Sequence, residues 1–339
     1  MIKVLSLFSG IGAFEKALEN LNVNYELVNY CEIDKFSSYA YQVIHNTSED
    51  YNLGDITKID IDKINEFDLL THGSPCQSFS LAGKGEGGDE GSGTKSSLMW
   101  HSVNIIKHKM PKYVIWENVA AVINKKHKHN FDRYINTLEE LGYKNYSKAV
   151  NSKDYGSAQS RERVIVVSIR EDILKKPFTF EIRDHKQLTM RDILENTVNQ
   201  KYYLENKYIH DLVREFENRL NSEKKTTRNR ILKLGDLKNP STFKMNNRVF
   251  SKDSVSPTLL TSSSEITKIV ECKIRKITPY ESWKLMGFGN DYYTVKEALE
   301  KKFYKGKDKS DSQMYKMAGN SIVVDVLEDI FYELIVQGN

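Results

Sequence analysis

Residues 2–18 read IKVLSLFSGIGAFEKAL, and the fold follows from how this stretch changes period. Ile2 to Phe8 is a short, nearly continuous apolar run, the pattern of a strand buried on both faces. It ends at Ser9-Gly10-Ile11-Gly12, where glycines permit a tight turn. From there apolar residues recur as Phe14, Ala17, Leu18 and Leu21, the spacing of one helix face. The same unit repeats. Tyr25–Cys31 precedes a helix around Phe36–Ile44, Asp68–His72 runs into Gly73-Ser74-Pro75-Cys76, and Tyr113–Trp116 follows a helix near Met99–His108. Alternating strands and helices predict an α/β fold with a doubly wound, mostly parallel sheet. In such sheets ligands bind beyond the carboxyl ends of the strands.

The alternation fades near Phe180 and returns only near Met317. A first domain is therefore expected over 1–180 and 312–339, with a second, smaller domain inserted over 181–311. Between Gly83 and Gly93 lie six glycines and almost no apolar side chain. This stretch cannot pack a core and reads as an active-site lid rather than a linker, because it follows a cysteine-bearing strand end.

The chain has 339 residues, 39% of them hydrophobic, and a mean hydropathy of −0.55. That is ordinary globular composition. No apolar run approaches the ~18 residues of a membrane helix, and the start lacks a signal-peptide pattern, so the reading is cytoplasmic with no membrane partner. Cys31, Cys76 and Cys272 are too few and too scattered for a disulfide framework or a zinc site, and no metal is expected. The 50 Lys+Arg against 46 Asp+Glu leave only +4 overall. Their distribution is uneven. Arg219 to Lys252 holds ten basic and two acidic residues, a local +8 against −4 for the remainder. A charge run is usually a solvated face, but a basic block in an otherwise acidic chain is the footprint of a polyanion site.

The motifs at the strand ends carry the chemistry. The glycine turn Ser6–Glu15 suits a nucleotide-type ligand, and Glu32, closing the second strand, can accept from ribose hydroxyls. Asp55 in Gly54–Thr57 ends a later element. No phosphate-gripping P-loop is present, so the ligand is a nucleoside with a small anionic tail. Lone cysteines are usually packing residues. Cys76, however, stands behind Pro75 with polar Gln77 and Ser78 beside it at the ligand edge, where a nucleophile is the better reading. Glu117 and Asn118 end the next strand, placing a carboxyl group to act as an acid. Arg161 and Arg163 in Gln159–Val164 are two residues apart and are expected on one face of the strand that follows.

Taken in order, SLFSGIGAFE, GDIT, GSPCQSFS, ENV, QSRERV, RKITPYESWKLMGF (Arg275 to Phe288) and MAGNSIVVDVLEDI (Met317 to Ile330) resemble the cytosine carbon-5 DNA methyltransferases. The resemblance covers about residues 1–170 and 274–335. It implies S-adenosylmethionine as cofactor, double-stranded DNA as partner, and target recognition by the basic stretch of roughly 180–273. It further implies that Phe8, Gly10, Gly12 and Pro75 line the cofactor pocket, that Glu32 holds the ribose and Asp55 the adenine amine, and that Asn320 and Ser321 close the pocket. Ile33 stands where many relatives carry a large aromatic against the adenine. By the same resemblance Cys76 attacks carbon 6 of a flipped cytosine, Glu117 acts at ring nitrogen 3, and Arg163, with Arg161 behind it, fixes the base and a flanking phosphate. Arg228, Arg230, Asn246, Asn247 and Arg248 are side-chain types that contact phosphates or base edges. Thr258 and Leu259 match the Thr-Leu pair often found in recognition regions.

Three other readings compete. An RNA cytosine substrate belongs to a branch of the family without the long basic insert. A regulatory relative with a dead site would have lost Cys76 or Glu117. A nicotinamide oxidoreductase explains the glycine turn but not the Pro-Cys, ENV or GNS motifs. One flipped base per chain suits a monomer, and a role in a restriction-modification system or as an orphan or phage enzyme is written in neighbouring genes.

Overall fold

The computed structural model describes residues 1–75, 87–204, 213–216, 218–219, 229–237, 247–261, 266–271 and 273–338. The chain forms two compact units: Met1–Val150 with Glu162–Glu181 and Val326–Asn339, and Asn151–Arg161 with Ile182–Asp325.

The first unit is built on a six-stranded sheet in the order β2-β1-β3-β4-β6-β5. Its strands are β1 (Ile2–Leu7), β2 (Tyr25–Cys31), β3 (Leu69–His72), β4 (Tyr113–Val119), β5 (Tyr143–Asn151) and β6 (Glu162–Arg170). The first four run parallel, while β6 is antiparallel to β4. β3 is buried at every position, as are Val164 to Val167 of β6. Strands covered on both faces produce the unbroken apolar runs visible in the sequence. Helices α1 (Ala13–Asn20), α2 (Lys35–His45), α3 (Met99–Lys109) and α4 (Lys128–Glu140) connect them. α2 starts where Asp34 accepts hydrogen bonds from the Phe36 and Ser37 amides, both at 3.0 Å. Such a cap satisfies two of the helix's orphan donors.

Register brings the motifs to one edge. Leu7 at the end of β1 lies beside Cys31 and His72, His72 lies beside Trp116, and Val119 lies beside Arg163. Because β6 runs the opposite way, its first residues meet the last residues of β4. The turn after β1, Glu32, the Gly73–Pro75 turn, Glu117 and Arg163 thus share the carboxyl edge of the parallel strands.

The second unit carries a four-stranded sheet in the order β10-β9-β8-β7, from β7 (Lys233–Asp236), β8 (Arg248–Ser251), β9 (Lys268–Val270) and β10 (Ile274–Lys276). Val213, Phe216, Leu232, Leu234, Val249, Val270 and Ile274 form its core. Helices α5 (Met190–Ile193), α6 (Pro279–Leu285), α7 (Tyr292–Tyr304) and α8 (Asp311–Asn320) belong to it. α6 opens with a capping box: Thr278 Oγ1 accepts from the Glu281 amide, and the Glu281 carboxylate accepts from the Thr278 amide. That carboxylate also takes two hydrogen bonds from the fully buried Arg275, at 2.8 and 2.9 Å.

The unit boundaries differ from those read in the sequence at two places. Asn151–Arg161 joins the second unit because the Ser256 amide donates to Ala158 and the Ser160 amide donates back to Ser256. The chain returns to the first unit at Val326 rather than 312, because α8 is held by the Trp283 indole on the Met314 carbonyl and by the Tyr315 hydroxyl on the Ile277 carbonyl. The last helix, α9 (Val324–Phe331), belongs to the first unit from Val326 onward. Among the described residues no helix is long and apolar enough to cross a membrane.

Candidate active site

The turn after β1 is built from left-handed backbone. Phe8, Gly10 and Gly12 have φ of 54°, 59° and 81°. At Gly12 a Cβ atom would fall 2.0 Å from His45 Nε2, so glycine is required for packing as well as conformation. At Gly10 a Cβ would meet nothing within 4 Å, so the turn faces open space there. The Gly10 amide donates to Glu32 Oε2 at 2.9 Å and the Asp34 amide to Oε1 at 2.7 Å. Each carboxylate oxygen keeps a lone pair for an incoming hydroxyl. Burial raises the Glu32 carboxyl above the usual range, and the amides from Asp34 and Gly10 oppose it.

Ile33 is 75% exposed, presenting an apolar side chain beside Glu32. Asp55 accepts from the Thr57 amide at 3.0 Å and the Thr57 hydroxyl at 2.8 Å. These bonds, the backbone one foremost, hold its carboxyl below the ordinary value. Gly54 before it, at φ 68°, also faces open space. Behind this turn the Cys31 thiol donates to the Gly54 carbonyl at 3.1 Å, and burial pushes that thiol up to about 12. Cys31 is therefore a packing residue and not a nucleophile.

The second cluster lies along β3, β4 and β6. Arg163 Nε meets Glu117 Oε1 at 2.8 Å, and both side chains are nearly buried. Pro75 closes the Gly73–Pro75 turn, which is fixed from β4. The Ser74 hydroxyl accepts from Trp116 Nε1 at 3.0 Å and Asn118 Nδ2 at 3.1 Å, while Asn118 Nδ2 also reaches the Ser74 carbonyl at 3.2 Å. Beneath them the buried His72 Nε2 pairs with the Tyr134 hydroxyl at 3.0 Å, and desolvation lowers this imidazole to about 3. His72 is thus a neutral core residue. Sequence reading missed Ser74 and Trp116 as supports. The signal available was Ser74 itself, a hydroxyl next to Pro75 at a buried strand end. Cys76 and the first part of the glycine-rich stretch, through Glu86, lie outside the described residues.

Arg161 requires a correction. Arg161 and Arg163 do not share a strand face, because β6 begins at Glu162. The Arg161 guanidinium is buried in the second unit and donates to the carbonyls of Leu259, Gly319 and Ser321 at 3.3, 3.0 and 2.9 Å. These bonds tie Arg161 into the second unit. Thr258 and Leu259 are likewise committed inward. The Thr258 hydroxyl donates to the Ser160 carbonyl at 2.9 Å, and the Leu259 side chain is 6% exposed. Gly319 is needed beside them, since a Cβ there would sit 2.5 Å from the Leu260 carbonyl oxygen. Leu259 is thus a packing residue of the second unit, while Thr258 is half-buried. Ser321 is buried in the same unit and Asn320 is exposed there. Arg230 and Arg248 are exposed, Asn247 is buried, and Arg228 and Asn246 lie outside the described residues.

A family model for C-5 cytosine-specific DNA methylase matches residues 2–336. The chain is 31% identical to "Orphan methyltransferase M.SPRI" of Bacillus phage SPR, over 98% of this chain and 97% of that one. It is 28% identical to "Type II methyltransferase M.HhaI" of Haemophilus parahaemolyticus, over 98% and 94% respectively. Among solved structures, the Dnmt2 methyltransferase of S. pombe matches with a TM-score of 0.69 at 17% identity, covering 99% of both chains. At that identity the likeness speaks for the fold alone.

Proposed function

Because this chain belongs to the C-5 cytosine-specific DNA methylase family and is thus a DNA cytosine-5 methyltransferase, we propose that it works through a covalent Cys76 adduct on a cytosine flipped out of duplex DNA. The observation that carries this reading is the Glu117–Arg163 pair, one strand over from the Ser74-anchored turn that leads into Cys76. A base reaches such a site only when unstacked.

The residues at the ends of β1 and β2 fit S-adenosylmethionine as the cofactor. Open space in front of Gly10 and Gly54 admits a flat ligand, Glu32 offers carboxylate oxygens to a ribose, and Asp55 offers an acceptor to an adenine amine. When bound, this cofactor supplies an electrophilic methyl group on a sulfonium. The chain supplies the rest. The Cys76 thiolate bonds to carbon 6, Glu117 delivers a proton to nitrogen 3, and the ring electrons become available at carbon 5. Arg163 holds the Glu117 carboxyl in place. Once carbon 5 carries the methyl group, water takes its remaining proton, the 5,6 double bond re-forms, the Cys76 thiolate is expelled and the nitrogen 3 proton returns to Glu117.

The second unit is assigned to target recognition, with Arg230 and Arg248 as exposed cations on it. Asn246 and Arg228 belong to the same assignment, and the enzyme acts as a cytoplasmic monomer. The relatives include both orphan and type II enzymes, and either setting suits this chain.

The test is bisulfite or nanopore sequencing of plasmid DNA from cells expressing the protein. Methylcytosine confined to one short motif is expected. Unmethylated DNA from cells holding folded, cofactor-binding protein would contradict the reading. A second result is expected from the basic block. Neutralising Lys224, Lys225, Arg228 and Arg230 together should weaken DNA binding and flatten its dependence on log salt, by about 0.9 per lost phosphate contact. An unchanged slope would mean that the block is only solvated.

A further inference from the structure

The segment between α2 and Asp55 contains a residue that no motif singled out. Asn52 forms a parallel bridge with Tyr30, and the Leu53 amide donates to the Tyr30 carbonyl at 2.7 Å, so this segment lies along β2 like a short extra strand. Beyond the bridge the Asn52 side chain takes over the pairing. Its Oδ1 accepts from the Glu32 amide at 3.1 Å, and its Nδ2 donates to the Glu32 carbonyl at 3.1 Å. The same Oδ1 accepts from the Gly54 amide at 2.9 Å. The carboxamide thus copies a peptide group, continuing the ladder to Glu32 while holding Gly54, the residue before Asp55.

The orientation of this amide is determined by its neighbours. Two N–H donors face Oδ1, whereas Nδ2 faces the Glu32 carbonyl, the Ser38 hydroxyl at 3.1 Å and Glu49 Oε1 at 2.9 Å. A flipped amide would set its NH2 against both N–H groups. Glu49 and Ser38 thereby fix the donor end, and Oδ1 is left to join two turns that come from different parts of the chain.

We propose that Asn52 is a positioning residue for the cofactor, setting the separation between the ribose-side carboxylate Glu32 and the adenine-side carboxylate Asp55. This rests on the reading of the β1–β2 edge as an S-adenosylmethionine site. A rigid nucleoside is gripped at both ends only if the two acceptors stand at its own spacing, so the Asn52 bonds act on affinity and not on the methyl-transfer step. Nothing in the family resemblance marks this position, because Asn52 precedes the Gly-Asp-Ile-Thr motif and its ribose-side partner, Glu32, lies twenty residues upstream.

Isothermal titration with S-adenosylhomocysteine tests the proposal, since it reads binding without turnover. Asn52→Ala should weaken binding by about tenfold or more, the value of one to two lost hydrogen bonds. KM for S-adenosylmethionine should rise in proportion, with kcat at saturation within about twofold of wild type. Asn52→Asp keeps the acceptor facing Glu32 and Gly54 but sets a carboxylate oxygen against the Glu32 carbonyl and Glu49, so it too should bind more weakly than wild type. It also serves if the alanine variant fails to fold. A role in stability alone would lower the melting temperature and leave the affinity and KM of the folded protein unchanged, which would overturn the proposal. Binding by Asn52→Ala or Asn52→Asp as tight as wild type would do the same. A wild-type chain that binds no S-adenosylhomocysteine would instead overturn the cofactor reading, and this proposal with it.

Discussion

Cys76→Ala should leave DNA methylation down by on the order of 10⁴-fold or more, as removal of an essential nucleophile does elsewhere, while S-adenosylhomocysteine binds as before. The separation of effects follows from the structure. Glu32 and Gly10 are held by bonds between the ends of β1 and β2, and Asp55 by bonds within Gly54–Thr57, none of which involves the Gly73–Pro75 turn. Cys31 offers no replacement thiolate, since its thiol is buried, bonded to the Gly54 carbonyl and pushed up to about 12. DNA carrying 5-fluorocytosine supplies the sharper test. Fluorine at carbon 5 cannot leave as the proton does, so the adduct forms and methyl transfer proceeds, but the thiolate is never expelled. Wild type should give a complex with this DNA that survives denaturation, and Cys76→Ala none. A denaturation-resistant complex with the variant, or undiminished methylation, would remove Cys76 from the mechanism.

The parts of this molecule that were legible in the sequence are those whose burial is periodic. Tyr25–Cys31 reads directly as a strand, and β1 and β3 lie within a residue of the apolar runs that mark them. Parallel strands covered on both faces are mostly apolar, so their limits are written largely in composition. The direction of β6 is not written there. Val164 to Val167 would be as apolar in a parallel strand, and only its pairing with β4 shows that Arg163 arrives at the site from the opposite side. Arg161 was misplaced because spacing by two implies one face only within a strand, and β6 starts one residue later. Leu259 looks like part of a polar loop motif until its carbonyl is seen accepting from the buried Arg161 guanidinium. Asn52 and Ser74 are hidden for a related reason. Their partners are set by tertiary contact, and a single polar residue in a turn carries no period.

Glu117→Gln is expected to lower kcat by about 10²–10³-fold, the usual cost of removing one group that stabilises charge in the transition state. The substitution is nearly isosteric. Its amide oxygen can still accept from Arg163 Nε where the Glu117 carboxylate does at 2.8 Å, so the joint between β4 and β6 should hold and the variant should fold. What it cannot do is transfer a proton to ring nitrogen 3. As carbon 6 takes the thiolate, electrons move toward that nitrogen, and a carboxamide offers only a hydrogen bond where a full proton is needed. The adduct with 5-fluorocytosine should therefore form slowly in Glu117→Gln but still form, in contrast to Cys76→Ala. Arg163→Ala should behave differently, keeping the proton but releasing the carboxyl from its position. A Glu117→Gln variant with wild-type kcat would move the stabilising role to Arg163, whose guanidinium meets this carboxylate at 2.8 Å.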